Sequence, residues 1–88
     1  MIRRGVVVHG RVQGVFLRDA TRREAQRRGV AGWVRNCDDG TVEAVFEGSR
    51  DEVEAMIRFV QDGPGRADVE RVDEHEEQPE GLSGFRTG

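Results

Sequence analysis

Apolar positions along the chain fall into short runs whose period changes from one segment to the next. Val6, Val7, Val8 and Val12 are β-branched and lie between Gly5 and Gly14, so residues 3–12 read as a first strand, interrupted by Gly10. Residues 18–28 contain neither Pro nor Gly, and Leu17, Ala20, Thr21 and Ala25 gather near one face. This predicts a helix stopped by Gly29. Its apolar face is thin, and Arg28 stands where a larger apolar residue would complete it, with a stem able to cover apolar surface. Residues 30–36 and 41–47 predict two strands joined by Cys37-Asp38-Asp39-Gly40, a hairpin signal. In the second of them Val42, Ala44 and Phe46 alternate with Glu43, Val45 and Glu47, which makes one face buried and the other largely wet. Ser49-Arg50-Asp51-Glu52 fits a reciprocal capping box, and Val53, Met56, Ile57 and Val60 follow at helical spacing until Gly63-Pro64-Gly65. Residues 67–75 read as a fourth strand, 76–84 as a polar acidic loop and 85–87 as a short final strand.

The order β-α-β-β-α-β, with a fifth strand at the end, predicts an α+β protein with the ferredoxin-like split βαβ arrangement. Its antiparallel sheet has four to five strands, and right-handed crossovers put both helices on one face. The 88 residues leave room for a single domain, 1–88. A domain of this size buries only about 60% of its unfolded surface, so a site belongs in a loop or a shallow groove.

Charge changes the picture more than composition does. The net charge is −3. Residues 1–36, however, hold nine Arg against Asp19 and Glu24, while residues 37–88 hold five Arg against fifteen acids. All 14 cations are Arg. That suits bidentate recognition of anions, and without Lys there is no Schiff base and no Walker lysine. Cys37 is the single cysteine, and His9 and His75 stand far apart with no cysteine pair, so neither a disulfide nor a zinc spacing is expected. The apolar run near the N-terminus is too short for a signal segment or a span, and the expectation is a cytoplasmic protein with no membrane contact.

Candidate chemistry concentrates at Gly14-Val15-Phe16-Leu17-Arg18, where the first strand turns into the first helix. A helix start presents unpaired N–H groups and the positive end of the dipole to an anion. Arg18 adds a bidentate clamp, and Gly14 permits close backbone approach. Asp19 counts against an anion site unless it turns outward or caps amides. Residues 10–14 match neither the dinucleotide fingerprint nor the P-loop. Asn36 ends a strand beside Asp-Gly. It reads either as an Asx-turn former or as an amide that holds a water through one donor and one acceptor. The topology is expected to make the first two strands neighbours and so bring Asn36 near Arg18. Cys37 lacks an adjacent base, His9 and His75 lack obvious partners, Trp33 reads as packing, and the glutamates of 74–80 read as a solvated run.

Taken together, the segment 10–18 (Gly-Arg-Val-Gln-Gly-Val-Phe-Leu-Arg), then Gly32-Trp33-Val34-Arg35-Asn36 and Asp39-Gly40-Thr41-Val42-Glu43, strongly resembles the acylphosphatases over nearly the whole chain. The resemblance implies hydrolysis of the carboxyl-phosphate anhydride of small acyl phosphates to a carboxylate and inorganic phosphate, with no cofactor and no metal. It implies that Arg18 binds phosphate, that the backbone of Gly14, Val15, Phe16, Leu17 and Arg18 cradles it, and that Asn36 orients the attacking water. It also suggests that the substrate's own phosphate accepts the water's proton. The implied partners are an acyl phosphate and inorganic phosphate, as product and inhibitor, on a monomer that binds no nucleic acid. The leaving carboxylate has a conjugate acid of pKa roughly 4, so no general acid is required, and phosphoryl transfer depends mainly on positioning and charge stabilisation. Departures from the pattern are Leu17 for a second Phe, Arg28 for an apolar helix residue, Cys37 after the Asn, and a polar ending at 85–88. A weaker last strand is therefore expected. The competing reading is a non-catalytic binding module of the same fold for RNA or a protein partner, prompted by the Arg-rich first half; the chain is poor in the stacking aromatics that RNA-binding sheets use.

Overall fold

A computed structural model describes residues 1–14 and 16–88. The element order is β1 (Ile2–Arg11), α1 (Leu17–Arg28), β2 (Ala31–Asn36), β3 (Val42–Gly48), α2 (Arg50–Gln61), β4 (Asp68–Glu77) and β5 (Phe85–Thr87). The sheet runs β4-β1-β3-β2-β5. Its first four strands pair antiparallel, and β5 adds a parallel edge to β2, so the complete sheet is mixed. Gly10 does not end β1. It sits beyond a register shift between His9 and Gly10, at φ +127°, where a Cβ would overlap the Asp68 carbonyl.

Both helices cover one face of the sheet. Val6 and Val8 of β1, Val34 of β2 and Val42, Ala44 and Phe46 of β3 form one core with Leu17 and Ala25 of α1 and Val53, Met56, Ile57 and Val60 of α2. Phe85 joins it, with its ring 5.9 Å from that of Phe46 and nearly parallel. The short final strand is thus anchored by an aromatic pair despite its polar neighbours. Arg28 compensates for the thin face of α1 by bridging Glu24 at 2.8 Å and Glu52 of α2 at 3.2 Å. The capping box is half realised: Ser49 Oγ accepts from the Glu52 amide at 3.3 Å, while the Glu52 carboxylate turns to Arg28.

The other face is wet and charged except where chain crosses it. Since β4 and β5 are opposite edges, residues 78–84 must traverse the sheet, and they do so over Glu47 of the central strand β3. Three successive amides, those of Glu80, Gly81 and Leu82, donate to the Glu47 carboxylate at 2.9, 2.7 and 2.9 Å. Arg3 donates at 3.4 Å. Burial pushes this carboxyl up, but the three amides and the guanidinium outweigh it and hold it below the usual carboxylate range. The segment expected as a solvated loop is therefore a strap fixed to a carboxylate that is 1% exposed.

The two charged halves of the sequence meet across this sheet. Arg3 pairs with Glu47, Glu77 and Glu80, Arg4 with Glu74 and Glu76, His9 with Asp73, and Arg35 with Glu43. His75 reaches Glu77 at 2.7 Å. Both histidines, without obvious partners in the sequence, thus have carboxylate partners from β4. Trp33 lies half-buried on the same face with the Arg35 guanidinium 5.4 Å above its ring, as a packing residue would.

Candidate active site

β1 ends at Arg11 and α1 begins at Leu17, so the connecting residues must reverse the chain tightly. Gly14 adopts φ +73° and Phe16 φ +64°; Phe16 is the non-glycine residue with positive φ among the described residues. This left-handed conformation costs an L-residue roughly 1–2 kcal/mol. Phe16 also occupies the N-cap of α1, where its side chain supplies no capping hydrogen bond. Ala20 is the residue whose amide closes the first turn, onto the Phe16 carbonyl at 3.0 Å. The amides before it have no carbonyl to meet within the helix and point outward from its start.

Val12, Gly14, Phe16, Leu17, Arg18, Asp19 and Asn36 line a concavity of about 240 Å³ at this helix start. Arg18 and Asn36, distant in sequence, therefore face one space. Leu17 contributes backbone there while its side chain is buried in the core, and Phe16 stands at the rim, 80% exposed. Val15, the remaining residue expected in the cradle, lies outside the described residues.

Arg18 is held by an Nη1 hydrogen bond to the Gly88 oxygen at 2.8 Å, and among the described residues no carboxylate side chain pairs with it. Asp19 does not oppose an anion alone. Arg22 and Arg23 reach its carboxylate at 2.6 and 2.7 Å. The hydrogen bond from Arg22, first, and the charge of Arg23 hold its carboxyl below the ordinary Asp value. With two guanidinium groups on one carboxylate, this triad is net positive rather than negative.

The route by which Asn36 reaches the loop differs from expectation. β1 and β2 are not neighbours, because β3 lies between them and pairs with both. Asn36 reaches the loop across the end of β3, through the hairpin turn that follows it. Asp39 holds that turn by accepting from the Thr41 amide at 3.0 Å and hydroxyl at 2.6 Å, and the Cys37 amide donates to the Thr41 carbonyl at 2.9 Å. Gln13 spans the gap: its Nε2 donates to the Cys37 carbonyl at 2.7 Å and the Thr41 carbonyl at 2.9 Å. Sequence patterning singled out neither Gln13 nor Glu47. A Gln beside a Gly-containing turn, and a Glu on the wet face of a strand, carry no period or spacing that names their partners.

A wider groove of about 690 Å³ lies on the opposite side of β2 and β5, lined among others by Trp33, Arg35, Glu43, Leu82 and Arg86. Its Arg35 is engaged with Glu43 at 2.6 Å and with the Trp33 ring. The narrower concavity is therefore the one where an open helix start, a guanidinium that no side-chain carboxylate pairs with among the described residues, and an amide side chain converge. Among the described residues no group of three His, Cys, Asp or Glu side chains is placed to hold a metal ion, and no described helix is long and apolar enough to cross a membrane.

Comparison with known proteins agrees with the resemblance carried by the motifs. The acylphosphatase profile matches residues 4–87. An acylphosphatase of Haloarcula marismortui is 58% identical over 91% of this chain and 88% of its own length. An acylphosphatase of Thermococcus kodakarensis is 52% identical over 97% of this chain and 93% of its own length. The crystal structure of acylphosphatase from Bacillus subtilis superposes with a TM-score of 0.96 at 35% identity, covering 100% of this chain and 99% of that one. The chain belongs to the acylphosphatase family.

Proposed function

We propose that this acylphosphatase-family enzyme hydrolyses the carboxyl-phosphate bond of small acyl phosphates using the helix-start amides, Arg18 and Asn36. The observation that carries the reading is the convergence of Arg18 and Asn36, from α1 and β2, on one concavity at an uncapped helix start. The amides at residues 14–18 and the Arg18 guanidinium bind the phosphoryl oxygens and stabilise the charge that shifts onto them in the transition state. The Gly88 hydrogen bond restrains the guanidinium, so less side-chain entropy is lost on binding. The Asn36 side chain accepts from and donates to the attacking water, directing its oxygen at phosphorus opposite the leaving carboxylate. That carboxylate leaves unprotonated, which explains why a site without a general acid suffices. The water's proton passes to a phosphoryl oxygen of the substrate, and inorganic phosphate, held by the same donors, competes with substrate.

Benzoyl phosphate hydrolysis in excess chelator tests this reading. The wild type should turn over in chelator, and Asn36→Ala should lower kcat while the inhibition constant of inorganic phosphate, read on the residual turnover, stays similar. No hydrolysis by the folded wild type, accompanied by salt-sensitive RNA binding, would replace the enzyme reading with that of a binding module. The cross-sheet pairing of Arg3, Arg4 and Arg35 with carboxylates argues against the latter, because those guanidinium charges are already offset before a phosphate backbone could meet them.

A further inference from the structure

We infer that Gln13 is a positioning residue for hydrolysis: its side-chain amide sets the hairpin turn, and with it Asn36, against the phosphate-binding loop. This rests on the reading that Asn36 orients the attacking water. The two halves of the site come from strands that share no ladder, since β3 separates β1 from β2. Backbone pairing consequently cannot fix the distance between them directly. Gln13 stands next to Gly14 on one half, and its two acceptors, the carbonyls of Cys37 and Thr41, lie on the other, the first of them on the residue after Asn36. The distances of 2.7 and 2.9 Å employ both hydrogens of a single NH₂ group. Those carbonyls also belong to the turn's own hydrogen bonds, as the Cys37 amide meets the Thr41 carbonyl at 2.9 Å and the Gly40 amide meets the Cys37 carbonyl at 3.2 Å. One side chain thus closes the turn and tethers it to the loop.

The chemistry requires two donors at that point. Glu has the same shape as Gln but would bring carboxylate lone pairs against two carbonyl oxygens, and Leu would fill the space without donating. Either change releases the turn from the loop while leaving the helix-start amides and Arg18 in place. Displacing a positioned group by about 1 Å can cost on the order of 10² in rate, and here the displaced group is Asn36 rather than the phosphate donors.

The test compares Gln13→Glu, Gln13→Leu and Gln13→Asn in the full chain, alone and combined with Asn36→Ala. Thermal melts identify variants that remain folded. Gln13→Glu and Gln13→Leu should lower kcat for benzoyl phosphate by about 10- to 100-fold, with KM and the inhibition constant of inorganic phosphate changing by less than about twofold. Gln13→Asn keeps both donors on a stem one methylene shorter and should fall between these and the wild type. In the Asn36→Ala background the Gln13 substitutions should lower kcat by less than about twofold further, because the group they position is gone. Equal losses with and without Asn36, or a loss confined to KM and phosphate affinity, would overturn the proposal. So would wild-type kcat in a folded Gln13→Leu variant when Asn36→Ala is impaired. If Asn36→Ala itself turns over at the wild-type rate, it is the assignment of the water to Asn36 that fails.

Discussion

Two places in this small protein set backbone amides and an arginine side by side, and they are finished differently. Beneath the strap, the amides of Glu80, Gly81 and Leu82 together with Arg3 close on the Glu47 carboxylate, which the protein supplies itself and buries. At the start of α1, the amides and Arg18 close on no side-chain carboxylate among the described residues, and the N-cap side chain is an exposed Phe in a left-handed conformation. The start of α2 resembles the strap in this respect, for Ser49 caps it. Donors satisfied from within hold the fold together. Donors left open at a strained turn can serve a ligand, and the strain is borne by the rest of the core.

The contrast predicts that removing the open guanidinium alters rate and that removing the satisfied groups alters stability. Arg18→Ala should lower kcat/KM for benzoyl phosphate by about 10² to 10³, the scale of one preorganised donor to a developing oxyanion. Arg50→Ala, in the first turn of capped α2, should leave it unchanged. Glu47→Ala should destabilise by about 3 kcal/mol in urea titration, because it leaves Arg3 without its buried partner and orphans three amides, while kcat per folded molecule persists. Ser49→Ala should cost about 1 kcal/mol by the same measurement. Phe16→Gly should change stability least and in the opposite direction. Release of left-handed strain exceeds the added unfolded-chain entropy by about 0.5 kcal/mol, raising Tm.

Acid sharpens the same distinction. The folded-state pKa values of Glu47 and Glu77 both lie below their ordinary value; for Glu47 the strap amides and Arg3 overcome burial, and for Glu77 the hydrogen bond from Arg3 leads. A carboxylate depressed in the folded state contributes stability that is fully present above its unfolded pKa, near 4.3, and is lost as pH falls through the lower folded value. Melts of the wild type should therefore fall steeply below about pH 4.3, and Glu47→Gln, which cannot ionise, should show a shallower fall over the same window. An unchanged slope would place the acid sensitivity elsewhere.

How far the sequence could be read follows from the range of each interaction. The strands and helices were legible because β-branched runs, the period of α2 and the Asp39-Gly40 turn are local, and Gly14, Arg18 and Asn36 were legible because short motifs carry them. The β-bulge at Gly10, the aromatic anchoring of β5 by Phe46 and Phe85, and the extension of β4 to Glu77 were not, since each is settled by a partner strand. The split of charge between the two halves suggested a basic surface, yet only the register of β1 with β4, and of β2 with β3, turned much of it into ion pairs.

By itself, then, the chain determines which residues are candidates for chemistry: an arginine in a helix's first turn, glycine where the backbone turns left-handed, an asparagine at the mouth of a hairpin. Those are properties of residue type and of neighbours a few positions away. The tertiary structure alone decided that β3 would separate the two halves of the site and that Gln13 would tie them, and it made Glu47 the anchor of a strap. The reason is physical: a side-chain amide or carboxylate has no preferred partner until folding brings one within about 3 Å and removes competing water.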